Sequence, residues 1–295
     1  MSQHPFYILD VFAETKYSGN QLGVVLDAAD IPEEEMQRIA RETNFAETTF
    51  VLSDDAREGG YDVRIFTPQV ELPFAGHPTI GTAWLIRREL LDGSADEVTL
   101  NLKAGAIRVS FEADEAGVET SWLHQSAPTF GETFSAEQAA ALLGLDVADI
   151  DDRFPVESLL MGIEFMFVPL RSMAALKRAA FSAERKAALG MPNLPAGQFL
   201  FCPETHSESN DLCARMFAAE LGVPEDPATG SANACLGGYL LKHTCLDEGP
   251  VNVRVEQGYE IGRPSMLRVR AESDGGGMKI AVGGNVIMIA RGELT

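Results

Sequence analysis

The chain has 295 residues, with 23 Lys+Arg against 44 Asp+Glu and a formal net charge of −21. A surface of that sign repels nucleic-acid phosphates and anionic lipid headgroups, so neither nucleic acid nor a membrane is an expected partner. An apolar content of 45% with 23% charged residues fits a globular protein with a buried core, and the length admits one large domain or two ordinary ones.

The opening stretch, HPFYILDVF, has no Lys or Arg ahead of its apolar residues and is interrupted by Asp10, so it reads as a strand and not as a signal peptide. Strands are expected at 5–11 and 22–26, then a helix over 32–43 with Met36, Ile39 and Ala40 on one face. Strands follow at 48–53 and 60–66, and a helix from Thr79 to Leu91 with Gly93 as its C-terminal cap. Val98, Leu100 and Leu102 alternate with polar residues, as do Ile107, Val109 and Phe111 after Ala104-Gly105, which predicts a hairpin with one wet face. A strand at 117–123 precedes a boundary near Pro128–Gly131. Ser135 and Gln138 have the spacing of a capping box at the start of a helix. The remaining expectations are strands at 165–170, 197–203, 251–257, 264–271, 278–283 and 285–291, a helical region at 172–189, and a helix after Gly230. That last helix carries Ala232, Cys235, Leu236, Tyr239 and Leu240 at helical spacing.

Runs of strands with a helix set into each half predict an α+β architecture. An internal echo points to two similar halves. Arg64 and Phe66 precede a Pro-rich turn, Gly76-His77 and a helix; Arg215 and Phe217 precede a Pro-rich turn, Gly230-Ser231 and a helix. The expected domains are 1–127, which the C-terminal strand near 285–295 is a candidate to complete, and 128–284. The longest apolar stretch near the C-terminus, Val286–Ala290, is too short to span a bilayer. The four cysteines (Cys202, Cys213, Cys235 and Cys245) form no C-x-x-C and have no zinc-like spacing to a histidine pair. Reduced thiols in the cytoplasm and the absence of a metal are the expectations.

Three segments carry polar groups in chemically useful settings. In FAETTF (45–50), Glu47 lies between Ala46 and Thr48 and close to Phe45 and Phe50, and desolvation there would raise its pKa toward the range useful for proton transfer. A solvated glutamate at a strand start is the alternative. In LPFAGHP (72–78), Gly76 would let backbone N–H groups approach a carboxylate at a helix start, and His77 offers a proton donor or acceptor near neutrality. The alternative is a turn glycine and a capping histidine. In EDPATGSA (225–232), Asp226 could position a substrate donor, Gly230 could expose N–H groups, and Ser231 is a candidate N-cap; a capped helix behind an acidic turn is the alternative. Two such helix starts in two similar halves, with Glu47 as a third contributor, would form a small-ligand site at a domain interface. Walker A, G-x-S-x-G and H-E-x-x-H motifs are absent from the sequence, and no cofactor is expected.

With DVFAETKYSGNQLGVV (10–25), FAETTFVL (45–52), RIFTPQVELPFAGHPTIGTA (64–83), EDPATGSANACLGGYL (225–240), QGYEIGRPS (257–265) and VGGNVIMIARGEL (282–294) in family order, the sequence resembles the PhzF-like isomerase family of the diaminopimelate-epimerase fold. The resemblance implies two similar domains, each a curved, mostly antiparallel sheet around a central helix, with the active site between them. It also implies cofactor-independent acid–base chemistry on a small carboxylate, in phenazine producers a dihydro-hydroxyanthranilate. Glu47, His77 and Asp226 match the family's catalytic residues; Gly76, Gly230 and Ser231 match its substrate-binding positions, and Asn20 falls in a GN motif beside them. A homodimer is implied as well. The epimerases of this fold use two cysteines as opposed bases, whereas here those positions fall at Ala75 and near Pro227. An epimerase with non-thiol bases and a binding protein without catalysis are the rival readings.

Overall fold

The computed structural model describes residues 3–190, 194–246, 248–273 and 275–295, and its contacts divide the chain into two units, Met1–His124 with Gly283–Thr295, and Gln125–Val282. In the first, the expected alternation becomes β1 (His4–Val11) and β2 (Asn20–Val25), then α1 (Glu33–Thr43), β3 (Glu47–Val51), β4 (Tyr61–Phe66) and a two-residue β5 (Glu71–Leu72). The helix α2 (Gly76–Glu89) leads to the predicted hairpin of β6 (Glu97–Leu102) and β7 (Gly105–Ala113), and then to β8 (Glu119–Gln125). β1 and β2 are antiparallel, β2 and β3 parallel, β3 and β4 antiparallel, β4 and β6 parallel, and β6 to β8 antiparallel. The other edge of β1 is covered by residues 286–294, antiparallel from Val11↔Val286 to His4↔Leu294.

α2 is buried almost all round, from His77 to Ala83 and again at Leu85 and Ile86. That placement explains its small residues. A Cβ on Gly81 would lie 2.6 Å from Leu22 Cδ2 and 2.8 Å from Val11 Cγ2, so glycine lets the helix settle directly on β1 and β2. The helix starts three residues before the expected Thr79, because GHP itself forms its first turn, where Pro78 loses no hydrogen bond. It ends with Leu90 as the cap; the expected cap, Gly93, lies beyond the helix in a left-handed turn whose N–H bonds the Arg87 carbonyl at 2.8 Å.

The second unit contains β9 (Thr129–Phe134), α3 (Ala136–Leu143), β10 (Val156–Met161), β11 (Ile163–Pro169), α4 (Met173–Arg178), α5 (Ala183–Leu189), β12 (Gly197–Cys202), β13 (Leu212–Ala218), β14 (Val223–Asp226), α6 (Gly230–His243), β15 (Val251–Gln257), β16 (Ser265–Ser273) and β17 (Met278–Gly284). The segment 286–294 that pairs with β1 is β18 (Val286–Leu294). Ser135 caps α3 as expected: its Oγ accepts from Gln138 N at 3.2 Å and Gln138 Oε1 accepts from Ser135 N at 2.9 Å. The single helical region expected at 172–189 is two helices. Ala179 leaves the helix at ψ 135°, and Ser182 caps the second by accepting from Arg185 N.

The same ladder recurs. β10 and β11 are antiparallel, β11 and β12 parallel, β12 and β13 antiparallel, β13 and β15 parallel, and β15 and β16 antiparallel. α6 occupies the place that α2 holds in the first unit and is buried at Gly230 and from Ala232 to Leu240. The two arginines of the sequence echo do the same work in each unit. Arg64 grips Glu71 through Nε and Nη2, both at 2.7 Å, and covers the Phe66 ring. Arg215 grips Glu225 through Nε at 2.9 Å and Nη2 at 2.7 Å, and covers the Phe217 ring. Each bidentate pair closes the hairpin that delivers the chain to a buried helix. No helix among the described residues is long and apolar enough to cross a membrane.

Candidate active site

α1 stops at Asn44, which takes the left-handed conformation (φ 53°) with its N–H on the Ala40 carbonyl, and this tight exit sets Glu47 at the first position of β3. The strand is fixed from both sides: Thr48 and Thr43 hydroxyls meet at 2.9 Å, and Thr49 and Thr82 hydroxyls at 2.7 Å, the latter tying β3 to α2 inside the core. Gly81, one turn after His77, brings α2 close enough for the histidine to reach the strand. The result is a contact of 3.2 Å between His77 Nε2 and Glu47 Oε2, with the two side chains 7% and 15% exposed.

That contact is between a carboxyl group and a neutral imidazole. Burial pushes the His77 pKa down to about 3, only partly opposed by a backbone hydrogen bond with Gln21. Nε2 makes no hydrogen bond of acceptable geometry, so the Gln21 bond engages Nδ1. Nε2 is the ring nitrogen that faces Glu47. The expectation of a histidine titrating near neutrality is therefore corrected: with so little water around it, the ring stays uncharged at physiological pH. Asn20 begins β2, buried opposite Val11, one residue before this Gln21. Gly19, at φ +69°, makes the turn into it where a Cβ would meet the Val11 carbonyl at 2.3 Å.

Asp226, Gly230 and Ser231 lie together in the second unit, at the end of β14 and the first turn of α6. Ser231 is not the N-cap. Thr229 holds that position, and its hydroxyl does not cap the helix but donates to Asp226 Oδ2 at 2.5 Å. Ala75 is the N-cap of α2 and has no side-chain oxygen to offer. Both buried helices thus begin without a described side-chain cap and without an acidic residue in the first turn. Such starts leave backbone N–H groups and a positive dipole end for an anion.

The cysteines offer no base. Cys202, Cys235 and Cys245 have thiols pushed up to about 12 by burial, and Cys213 is raised further by the same cause. All four are free. One cluster had no signal in the spacing: His206, Cys213 and Glu256 place potential ligand atoms within 4.8 Å of one another. Glu256 there accepts from His206 N and Nδ1, Ser207 N and Asn210 Nδ2 at 2.6–3.0 Å. These bonds fasten the loop after β12 to β15 and hold the Glu256 carboxyl below the usual range against the opposing effect of burial. A surface cavity of about 450 Å³ beside Trp84, Arg87, Arg88 and Asn285 has neither Glu47 nor His77 in its walls.

The sequence pattern of the phenazine biosynthesis-like proteins (PhzC-PhzF) matches residues 9–292. The chain belongs to this family. It is 35% identical over 291 residues to trans-2,3-dihydro-3-hydroxyanthranilate isomerase of Pseudomonas aeruginosa, covering 98% of this chain and 99% of that protein. Among solved structures it resembles the PhzF-family phenazine biosynthesis protein of Bacillus anthracis, with a TM-score of 0.89, 30% identity and full coverage of both chains. A hydroxyproline epimerase from Agrobacterium vitis shares the fold at a TM-score of 0.61 and 11% identity, covering 100% of this chain and 91% of that one. The α+β fold of two similar domains is thus that of the PhzC-PhzF family and of epimerases alike. With relatives named as isomerases along its whole length, this family member is an isomerase.

Residues outside the predicted set also shape the site. Gly81 and the Thr49–Thr82 bond hold His77 against Glu47, and Thr229 and Gln257 bond around Asp226. Gly81 had a readable signal, a glycine inside an otherwise helical pattern, which marks close packing. The threonine pair had none, since its partners are 33 residues apart.

Proposed function

We propose that this PhzC-PhzF protein moves a proton between two carbons of a small unsaturated carboxylate, without a cofactor, using Glu47 as acid and base. The observation that carries the reading is the buried Glu47–His77 contact at 3.2 Å. Glu47 removes a proton from a carbon adjacent to the substrate's conjugated system; the C–H electron pair shifts through that system, and the protonated Glu47, whose acid proton exchanges with solvent, delivers a proton to a second carbon. Atoms and electrons balance with no oxidant or reductant. While Glu47 is protonated, a neutral His77 with its lone pair on Nε2 can accept its hydrogen bond, which a charged imidazolium could not do.

The reading further assigns the substrate carboxylate to the N–H groups at Gly76, Gly230 and Ser231, with Asp226 accepting a hydrogen bond from a substrate hydroxyl or amino group and Asn20 assisting beside His77. Register supports one-sided proton transfer over two-base epimerisation. Glu47 lies across from Leu22 on the parallel pair β2–β3; the same place on β11–β12 is Gly197 across from Phe165, and a Cβ there would lie 2.4 Å from the Phe165 ring. The second unit therefore carries a glycine where the first carries its glutamate. A homodimer in the cytoplasm belongs to the same proposal, and a sedimentation mass of one chain would sink the dimer.

The test is proton NMR in D₂O with trans-2,3-dihydro-3-hydroxyanthranilate, the compound named for the Pseudomonas relative, and a panel of unsaturated and amino carboxylates. Deuterium entering one carbon with wild type and not with Glu47→Gln is the expected result. Equal exchange by both proteins overturns the role of Glu47, and loss of stereochemical purity without a change in ultraviolet absorption would replace isomerisation by epimerisation.

A further inference from the structure

Gln257, the last residue of β15, is fully buried against the Asp226–Thr229 turn. Its Nε2 donates to the Asp226 carbonyl at 2.8 Å and to Thr229 Oγ1 at 3.0 Å; its Oε1 accepts from Thr229 N at 3.3 Å and from Asn233 Nδ2 at 3.0 Å. Asn233 Nδ2 also donates to the Thr229 carbonyl at 3.0 Å. Both N–H groups and both lone pairs of the Gln257 amide are therefore used, and only this orientation of the amide satisfies its neighbours. The next residue, Gly258, sits at φ +78° where a Cβ would meet the Pro227 carbonyl at 2.7 Å and Pro227 Cα at 2.9 Å, so β15 leaves its sheet pressed against the turn.

The consequence lies in the direction of one proton. A threonine hydroxyl has a single hydrogen, and with Gln257 donating to its oxygen that hydrogen goes to Asp226 Oδ2, at 2.5 Å. A helix N-cap threonine ordinarily turns its oxygen back to the first turn of its own helix; here it is diverted to the carboxylate. We infer that Thr229 and Gln257 are positioning residues, which fix the rotation of the Asp226 carboxylate through the relay Gln257 amide to Thr229 hydroxyl to Asp226. The inference rests on the proposed role of Asp226 for its effect on turnover, though its geometric content is independent of that role. The relay also accounts for the uncapped α6 start behind a motif with threonine directly before its glycine: the hydroxyl is turned to Asp226, and its oxygen accepts from Gln257 Nε2 in place of a first-turn N–H.

Two arms test it. Crystal structures of wild type and Thr229→Val, a substitution that keeps the shape and removes the hydroxyl, should show the Asp226 carboxylate turned from its wild-type orientation while the β14 and α6 backbones superpose. An unmoved carboxylate overturns the inference, whatever the activity; Thr229→Ala replaces the valine variant if that protein does not fold. In the exchange assay, on the compound that wild type labels, Thr229→Val should lose about 10- to 100-fold, the worth of one hydrogen bond to a charged group, and Thr229→Ser should recover to within about 3-fold of wild type. In an Asp226→Asn background the valine substitution should cost less than about 3-fold, since the group it orients is gone. Additive losses overturn the inference alone. Wild-type turnover by Asp226→Asn overturns the role of Asp226 instead, and the crystal structures then decide the positioning by themselves.

Discussion

The two units share a scaffold and differ in what they mount on it. In each, an arginine on the strand before the buried helix holds a glutamate in a bidentate grip, Arg64 with Glu71 and Arg215 with Glu225, and in each the helix begins without a side-chain cap. The chemistry is unequal. Where β3 carries Glu47, β12 carries Gly197 beneath the Phe165 ring, and where α2 has His77, α6 has Ser231. Ladder order and clamps have been kept in both copies because the hairpin must close whatever the helix start binds. The buried contact between a carboxyl group and an imidazole, Glu47 with His77, belongs to the first unit. The clamps differ too: Arg215 is 9% exposed and also donates to the Leu176, Lys177 and Ala179 carbonyls, whereas Arg64 is 20% exposed, also pairs with Glu33, and shares Glu71 with Lys103.

Each difference can be pressed. The largest effect is expected at Glu47: changing it to Gln should lower isotope exchange by about 10³-fold with stability within about 1 kcal/mol of wild type, read by NMR exchange and urea unfolding on the same samples. Next, Arg215→Leu should cost about 3–5 kcal/mol of unfolding free energy, because it strands the buried Glu225 carboxylate and three carbonyls, against about 1–3 kcal/mol for Arg64→Leu, whose Glu71 keeps Lys103. Urea midpoints in the reverse order would contradict the assignment of the deeper clamp to the second unit. Gly197→Ala should cost about 1–3 kcal/mol through its clash with Phe165; exchange at the wild-type rate by the folded variant is expected, and a large loss would place chemistry in the second unit.

The smallest effect concerns His77. Unfolded, it takes up a proton below about 6.5; folded, it stays neutral until about pH 3. The unfolded state binds more protons between those limits, so stability is lost as pH falls through that window, by up to about 1.4 kcal/mol per pH unit. Between pH 6.5 and 5, above the carboxylates whose folded pKa values are lowered, Glu71, Asp151 and Glu256, wild type should lose this increment and His77→Gln should not. Parallel slopes for the two proteins would mean that the imidazole is charged in the folded state.

Much of this was legible in the sequence, for physical reasons that can be named. Period-two alternation located the hairpin of β6 and β7, each with one wet face; β9, with exposed residues on both faces, left no such trace, nor did β10 and β13, buried on both faces along most of their length. The start of α2 was misplaced because GHP reads as a turn until the helix is seen to begin inside it. Glu47 and His77 were identified from their neighbours and from the family motifs, but their contact joins residues 30 positions apart, and no local pattern encodes a distance. Ser231 reads as the N-cap because it follows the glycine. Thr229 has the position, and its hydroxyl is turned away by Gln257, a residue 28 positions later.

The pairing of β1 with β18 has a consequence for synthesis. Along all eight residues of β1, one neighbour is a strand that follows the whole second unit in the chain, from His4↔Leu294 to Val11↔Val286. Residues 125–282 form an uninterrupted unit whose partners are in hand once they leave the ribosome, whereas the unit that carries Glu47 and His77 must wait with an open strand edge until residues 286–294 are translated. Such an edge is a template for pairing with other chains, and long-range closure of this kind is slow. The half that holds Glu47 and His77 is begun before the other half and closed after it.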